Sequence, residues 1–170
     1  MFSHPGTKLL FMCAEFGQGD EWNYQHSLQW HLLEYPNHLG IQQTIKDLNK
    51  LYRNEPALYE KAFESSGFEW IDGGNVNDWV LVYLRKGNDP VNDILVVMNM
   101  TPVVRYQQRM GVPAAGKWKQ LFNSDDKKYW GSGLSNPDAV QSEPEAWHGK
   151  ENSILITLPP LSVLMFKREA

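Results

Sequence analysis

The chain of 170 residues is long enough for one ordinary domain, or for a small piece joined to a domain of average size. Its 42% hydrophobic and 21% charged residues are typical of folded proteins, which excludes disorder as the main state. The formal net charge of −4 leaves no basic excess for a phosphate backbone, and no apolar run approaches the ~20 residues of a membrane span, so neither nucleic acid nor a membrane is expected as a partner.

The cysteine content predicts a reducing compartment, with the cytoplasm as the simplest choice. Cys13 is the only cysteine, so it cannot form an internal disulfide, and no CxxC or His/Cys zinc spacing is present. The first residues lack the charged region and cleavage site of a signal peptide. The seven Trp, seven Tyr and seven Phe fit a carbohydrate partner, because aromatic faces stack on sugar rings, but they also fit the core of a β-domain.

The first apolar run, residues 8–16 (KLLFMCAEF), predicts a strand. It is nearly continuous rather than alternating, which is typical of a parallel strand buried on both faces. A lone parallel strand has no sheet to join. We therefore expect this segment to need neighbouring strands that the chain does not supply. A glycine- and acid-rich loop, residues 17–21, follows it.

The next element is predicted to be a helix that begins at Asn37 as N-cap and ends near Arg53, where Pro56 stops it. Its apolar stripe recurs at helical spacing and consists of Ile41, Ile45, Leu48 and Leu51/Tyr52.

After Pro56 the period changes, and short runs rich in Val, Ile, Trp and Tyr alternate with Gly, Asn, Asp and Pro. This pattern predicts an antiparallel sandwich, with an extended surface loop at residues 124–152. The predicted strands are residues 67–71, 79–85, 94–100, 105–112, 118–122, 153–158 and 163–167.

The candidate catalytic groups are weak. Glu15, Asp20 and Glu21 form the only carboxylate cluster in a plausible cleft, but they lie too close in one loop to straddle a glycosidic bond. The histidines lack the HxxxH spacing of a helical metal site, so we predict no metal, no cofactor and no catalytic residue in this chain. Any chemistry must lie outside it.

Several long motifs closely resemble the bacterial 1,4-α-glucan (glycogen) branching enzymes, and they occur in the same order over essentially the whole chain. The motifs are residues 5–18 (PGTKLLFMCAEFGQ), 21–24 (EWNY), 28–34 (LQWHLLE), 47–53 (DLNKLYR), 56–58 (PAL), 67–70 (GFEW), 99–104 (NMTPVV), 123–125 (NSD), 147–149 (WHG) and 158–161 (LPPL). The family usually has glycine where this chain has Cys13, and aspartate where it has Gln29.

This resemblance implies an α+β fragment. Residues 1–55 would supply the last strand and helix of a (β/α)₈ catalytic barrel, and residues 56–170 a C-terminal all-β antiparallel sandwich. The barrel itself would lie upstream in the same polypeptide. The family's catalytic carboxylates would also lie there.

The resemblance also implies a function. The whole protein would cleave α-1,4 linkages in glycogen or amylose and transfer the glucan to a 6-hydroxyl. The loop after the predicted strand would lie at the catalytic end of the barrel, so Trp22, Asn23 and Glu15 are the candidate glucan-binding residues.

Two alternatives stay open. One is a stand-alone carbohydrate-binding β-module, against which residues 1–55 argue. The other is a different α-amylase-type enzyme, such as an isoamylase or a trehalose-forming hydrolase.

Overall fold

The strands form where β-branched and aromatic residues concentrate between turn residues, and one helix precedes them. The computed structural model describes residues 1–21 and 23–169. The regular elements are α1 (Pro36–Asn54), β1 (Phe68–Asp72), β2 (Val80–Arg85), β3 (Ile94–Asn99), β4 (Arg105–Val112), β5 (Lys117–Asn123), β6 (Ala139–Gln141), β7 (Asn152–Leu158) and β8 (Ser162–Arg168).

The strands build two antiparallel sheets. One has six strands in the order β1-β2-β3-β8-β5-β6, and the other pairs β4 with β7. The prediction of an antiparallel sandwich is confirmed, and all seven predicted strands are present. The additional strand β6 lies within residues 124–152, which we had predicted to be a loop, and it pairs with β5.

The six-stranded sheet is covered on both faces. Between the sheets lies a core that includes Val82, Leu164 and Phe166 from the larger sheet and Ile154 from β7. The opposite face packs under α1, whose Leu51 contacts a second cluster of side chains. The central strands are therefore buried almost without interruption although they are antiparallel.

Helix α1 begins at Pro36, with Tyr35 as its N-cap, so the prediction of Asn37 as N-cap is wrong. Proline suits the first helical position because its fixed φ is already helical and its missing N–H is not needed there. The helix ends at Asn54, and Pro56 follows, as predicted.

The predicted strand at residues 8–16 is absent. Residues 7–11 form no regular element, and Ala14–Phe16 form a single 3₁₀ turn. The backbone reverses at Met12 (φ 32°) and Cys13 (φ 64°), which no strand accommodates. None of the described strands pairs with this run, and a barrel strand is not evident in this part of the chain.

Arg85 joins the amino-terminal residues to the sandwich. Its guanidinium is fully buried and donates to the backbone oxygens of Ser3 (3.1 Å), Leu58 (3.2 Å) and Gly67 (3.4 Å). The hydroxyl of Tyr83 donates to the Ser3 hydroxyl at 2.7 Å. Burial lowers the pKa of Arg85. The planar guanidinium group nevertheless links three separate segments through its hydrogen bonds.

Candidate functional site

Glu15, a predicted glucan-binding residue, lies in the 3₁₀ turn Ala14–Phe16 and is half-buried. The turn is held by Phe16, which is fully buried and packs 5.5 Å from the ring of Trp30. The backbone oxygen of Phe16 also lies 2.8 Å from Nδ1 of His38 at the start of α1. The position of Glu15 is therefore fixed by its neighbours rather than by a contact of its own carboxylate.

Asn23 is exposed, and its side-chain oxygen accepts a hydrogen bond from the backbone N–H of Gln25 at 3.0 Å. This Asx-type turn leaves its amide nitrogen facing solvent. No hydrogen bond or ion pair joins Asn23 to Glu15 in the described part of the chain. Trp22, the third predicted residue, lies outside the described residues.

Gln29, where the branching enzymes usually have aspartate, closes the loop between these residues. Its side-chain amide donates to the carboxylate of Asp20, and its backbone N–H donates to the side-chain oxygen of Gln18 at 3.1 Å. An aspartate at position 29 would face another carboxylate here. The glutamine therefore changes how this loop is held.

A hollow of about 500 Å³ lies beside this loop, with Gln18, Asp20 and Glu21 along its lining. Neither Glu15 nor Asn23 lines it. The structure thus brings the acidic residues of the loop to one hollow, but it does not gather the predicted glucan-binding residues around a common cavity.

The described carboxyl groups do not include an acid suited to glycosidic chemistry in a cleft. Such a group needs a raised pKa beside an accessible bond. Burial raises the pKa of Asp93, but this side chain accepts from the N–H of Gly87 at 3.1 Å and is buried in a turn. Among the residues described, no group of three His, Cys, Asp or Glu is arranged to hold a metal ion.

A larger groove lies where β2 emerges from under the two-stranded sheet, and we call it the sheet-edge groove. It has a volume of about 590 Å³. Its lining combines polar and apolar side chains. The lining residues are Asp72, Asn75, Asp78, Val80, Val82, Gln107, Gln108, Arg109, Met110, Glu145, Trp147, His148 and Leu155.

Irregular backbone builds one wall of this groove. The pairing of β4 with β7 shifts between Arg105 and Gln108, and the bulged residue Gln107 has a φ of 53°. His148, in the turn that carries Trp147, has a φ of 50°. Bulges of this kind redirect side chains, and here they turn glutamines toward the groove.

Gly111 lets the same turn approach β4 closely. A Cβ atom at this position would lie 2.2 Å from the backbone oxygen of Trp147, so only glycine permits the contact. The N–H of Gly111 donates to Nδ1 of His148 at 3.5 Å. The other ring nitrogen, Nε2, lies 3.6 Å from the carboxylate of Asp72. Burial lowers the pKa of His148, so the ring is neutral at neutral pH.

The charges on the groove walls are largely paired. Arg109 bridges Glu143 at 2.7 Å and Glu145 at 3.0 Å, and both carboxylates belong to the segment that leads to Trp147. Asp78, another lining residue, is held at 2.7 Å by Arg105, which does not itself line the groove. The lining has three carboxylates, Asp72, Asp78 and Glu145, and one guanidinium, Arg109, so the groove offers fixed hydrogen-bonding groups and a negative net charge.

A second, more apolar hollow of about 510 Å³ lies between the amino-terminal residues and β1. Trp70 lines it and is half-exposed, with its ring edge-on to Phe68 at 5.0 Å and to Tyr83 at 5.6 Å. Phe63, 81% exposed, lies on its other side. These rings are fixed enough to act as a flat surface for stacking.

Sequence reasoning missed both the sheet-edge groove and the hollow at Trp70. Their residues are distant in the chain, and only the strand order brings residues 72–78, 107–110 and 145–148 together. The aromatic residues were the one available signal, but their number alone does not separate an exposed tryptophan such as Trp147 from a buried one such as Trp118.

The comparisons with known proteins indicate one family. Residues 70–169 match the model "Alpha amylase, C-terminal all-beta domain". The 1,4-alpha-glucan branching enzyme GlgB of Aquifex aeolicus is 51% identical over 99% of this chain and 27% of its own length. That of Marinobacter nauticus is 46% identical over 98% of this chain and 27% of its own length. The resemblance in the motifs is thus confirmed, and the chain spans about a quarter of the length of these curated relatives.

Among solved structures, the alpha-amylase of H. orenii aligns with 76% of this chain and 20% of its own, at 19% identity and a TM-score of 0.47. No helix of the described residues has the length and apolar character needed to cross a membrane.

Proposed function

This chain belongs to the family of α-amylase C-terminal all-β domains, and on that premise we propose that it works as the C-terminal part of a 1,4-α-glucan branching enzyme. The whole protein would cleave an α-1,4 linkage and transfer the glucan to a 6-hydroxyl, in the cytoplasm. One observation carries the proposal: identity of about half to branching enzymes, over nearly the full chain.

The proposal assigns residues 1–55 to the end of a catalytic barrel and residues 56–170 to the β-domain. Exposed apolar side chains support it. Leu9 is 75% exposed, and Phe11 and Trp30 are also exposed, although all three lie in a segment with an apolar pattern. Exposing several large apolar groups together is unfavourable, and an upstream barrel would cover them.

We further propose that Glu15, Trp22 and Asn23 contact glucan in the whole enzyme. Asn23 supports this with an amide nitrogen that faces solvent, and Glu15 with a carboxylate that makes no hydrogen bond in the described residues. Both groups are open to the hydroxyls of a sugar. In this proposal the catalytic carboxylates come from the barrel, and this chain supplies binding and support.

A chimera tests the function. The 170-residue chain replaces the matching quarter of the Aquifex aeolicus branching enzyme, and the product is assayed on amylose by the loss of iodine colour and by counting α-1,6 linkages. We expect the chimera to branch amylose and the 170-residue chain alone to show no turnover. A folded chimera without branching activity, or branching by the chain alone, would overturn the proposal.

The contact residues are tested in the active chimera. Asn23→Ala and Glu15→Gln should raise KM for amylose several-fold with a smaller change in kcat, because they remove binding contacts rather than the reacting groups. Glu151→Gln, an exposed carboxylate of the β-domain, is the matched control. Unchanged KM in both variants would contradict this assignment.

A further inference from the structure

The sheet-edge groove has the lining that a sugar chain needs. A pyranose ring has apolar faces and a rim of hydroxyl groups. The groove offers it the ring of Trp147, which is 45% exposed, and the half-buried side chain of Leu155, while Val80 and Met110 behind them belong to the buried core. Its walls carry carboxylates and amides, which can each bond two neighbouring hydroxyls.

Part of the polar lining has open hydrogen-bonding capacity. The Gln107 side chain is exposed and has no partner among the described residues. Gln108 uses its amide nitrogen to donate to the backbone oxygen of Tyr106 at 3.1 Å, which leaves its side-chain oxygen free to accept. The two residues are consecutive on the bulged segment of β4, and both line the groove.

The charge of the groove favours a neutral ligand. Arg105 and Arg109 already pair with carboxylates, and His148 is neutral. An anion would face Asp72 and Glu145, and the described carboxylates are not arranged to hold a metal ion. A neutral polymer rich in hydroxyls meets no such penalty.

Two residues of the groove lining have a strained backbone conformation. Gln107 and His148 both have positive φ, a conformation that costs of order 1–3 kcal/mol for residues other than glycine. The side chain of Gln107 makes no hydrogen bond among the described residues that would offset this cost. A ligand that bonds the amide would account for a glutamine at this position.

From these observations we propose that the sheet-edge groove binds a segment of α-1,4-linked glucan, with Trp147 stacking on a glucose ring and Gln107, Gln108 and Asp72 bonding its hydroxyls. The choice of α-glucan rests on the proposed function. The groove is separate from the loop that carries Glu15 and Asn23, so the β-domain would hold the polymer at a second place.

Titration of the full chain with maltoheptaose, followed by tryptophan fluorescence and calorimetry, tests the groove. We expect saturable binding, weakened about tenfold or more by Trp147→Ala, because one stacked ring is lost. Trp130→Ala removes a more exposed tryptophan (66%) beside α1, away from the groove, and should leave the affinity unchanged. Cellopentaose, which is β-linked, should bind at least tenfold more weakly.

Gln107→Gly separates ligand binding from folding. Glycine relieves the positive φ and removes the amide, so the melting temperature should stay the same or rise while the affinity for maltoheptaose falls. A purely structural role for Gln107 would leave the affinity unchanged. Equal loss of binding in Trp147→Ala and Trp130→Ala, or equal affinity for both sugars, would overturn the proposal.

The outcome for the groove is distinguishable from that of the proposed function. An active chimera whose β-domain does not bind maltoheptaose would remove the groove and leave the branching function standing. Binding that depends on Trp147, together with an inactive chimera, would keep the groove and overturn the branching function.

Discussion

Strand β3 and the run of residues 8–16 are both nearly continuous apolar sequence, but only β3 is part of a sheet. In the sheet, β3 is paired on both sides, and its Leu95 and Val96 are completely buried. In the amino-terminal segment, Leu9 and Leu10 are exposed and the backbone turns back on itself.

The difference teaches that an apolar run becomes a strand only if its partner is available. The run 94–99 finds β2 and β8 within the chain, and each ladder satisfies the backbone groups that burial would otherwise leave unpaired. The run 8–16 finds none. Without a partner strand its residues form no ladder, and Leu9 and Leu10 stay exposed.

Two leucine truncations measure the contrast directly, and they should give the largest effect. Leu164→Ala, at a site 1% exposed between the sheets, should lower the free energy of unfolding by about 2–5 kcal/mol. Leu9→Ala should change it by no more than about 0.5 kcal/mol. Urea denaturation measures both. A large loss for Leu9→Ala would mean that the amino-terminal segment is packed as tightly as the sheet.

We expect the loss of folding stability at acid pH to come from carboxyl groups of the sandwich rather than from those of the amino-terminal segment. Hydrogen bonds from Lys150 and Lys86 outweigh burial and hold the pKa of Glu69 below its ordinary value of 4.5. Its stabilisation is therefore present above pH 4.5 and is lost as the pH falls through the lower, folded-state pKa. Glu69→Gln should reduce stability at pH 7 and flatten its decline between pH 5 and about 3.

Unfolding midpoints in urea across that pH range measure this effect. Glu15→Gln is the control, because it removes a carboxylate from the irregular segment without removing a described hydrogen bond. An unchanged pH dependence in Glu69→Gln, or an equal change in both variants, would contradict the expectation.

The smallest effect is expected at Cys13, a position with strained backbone in the amino-terminal segment. Cys13 has a φ of 64°, a conformation that favours glycine, and the branching enzymes usually have glycine there. Cys13→Gly should raise the melting temperature by roughly 2–4 °C, measured by calorimetry. Cys13→Ala keeps the strain and should not raise it. A lower melting temperature for Cys13→Gly would mean that the packing of the thiol outweighs the strain.

The sequence predicted the strands of the sandwich well because their signal is local. The bounds of β4 were predicted at residues 105–112, where the structure has them, and the others differ by one or two residues. Strand β6 was missed because its three residues, Ala139–Gln141, are too few to form a pattern. The N-cap of α1 was misplaced by two residues because Pro36 begins the helix without a capping side chain.

What the sequence could not provide was the arrangement of distant segments. Placing β8 between β3 and β5 depends on pairings such as Val97 with Leu164, which no local pattern encodes. The sheet-edge groove depends on the same order, since Asp72 and His148 approach each other only after the sheets have formed. The acidic loop, by contrast, could be recognised in the sequence. In the structure, Asn23 does not line the cavity that its acidic residues share.

The hydrogen bonds of Arg85 also have a mechanical consequence. Because Arg85 and Tyr83 on β2 both hold Ser3, tension applied at the first residue would enter the sheet at β2 without passing through residues 7–35. At its other end that segment is continuous with α1, which packs on the same sheet. The first residues and α1 are therefore anchored to the same sheet independently of the chain that runs between them.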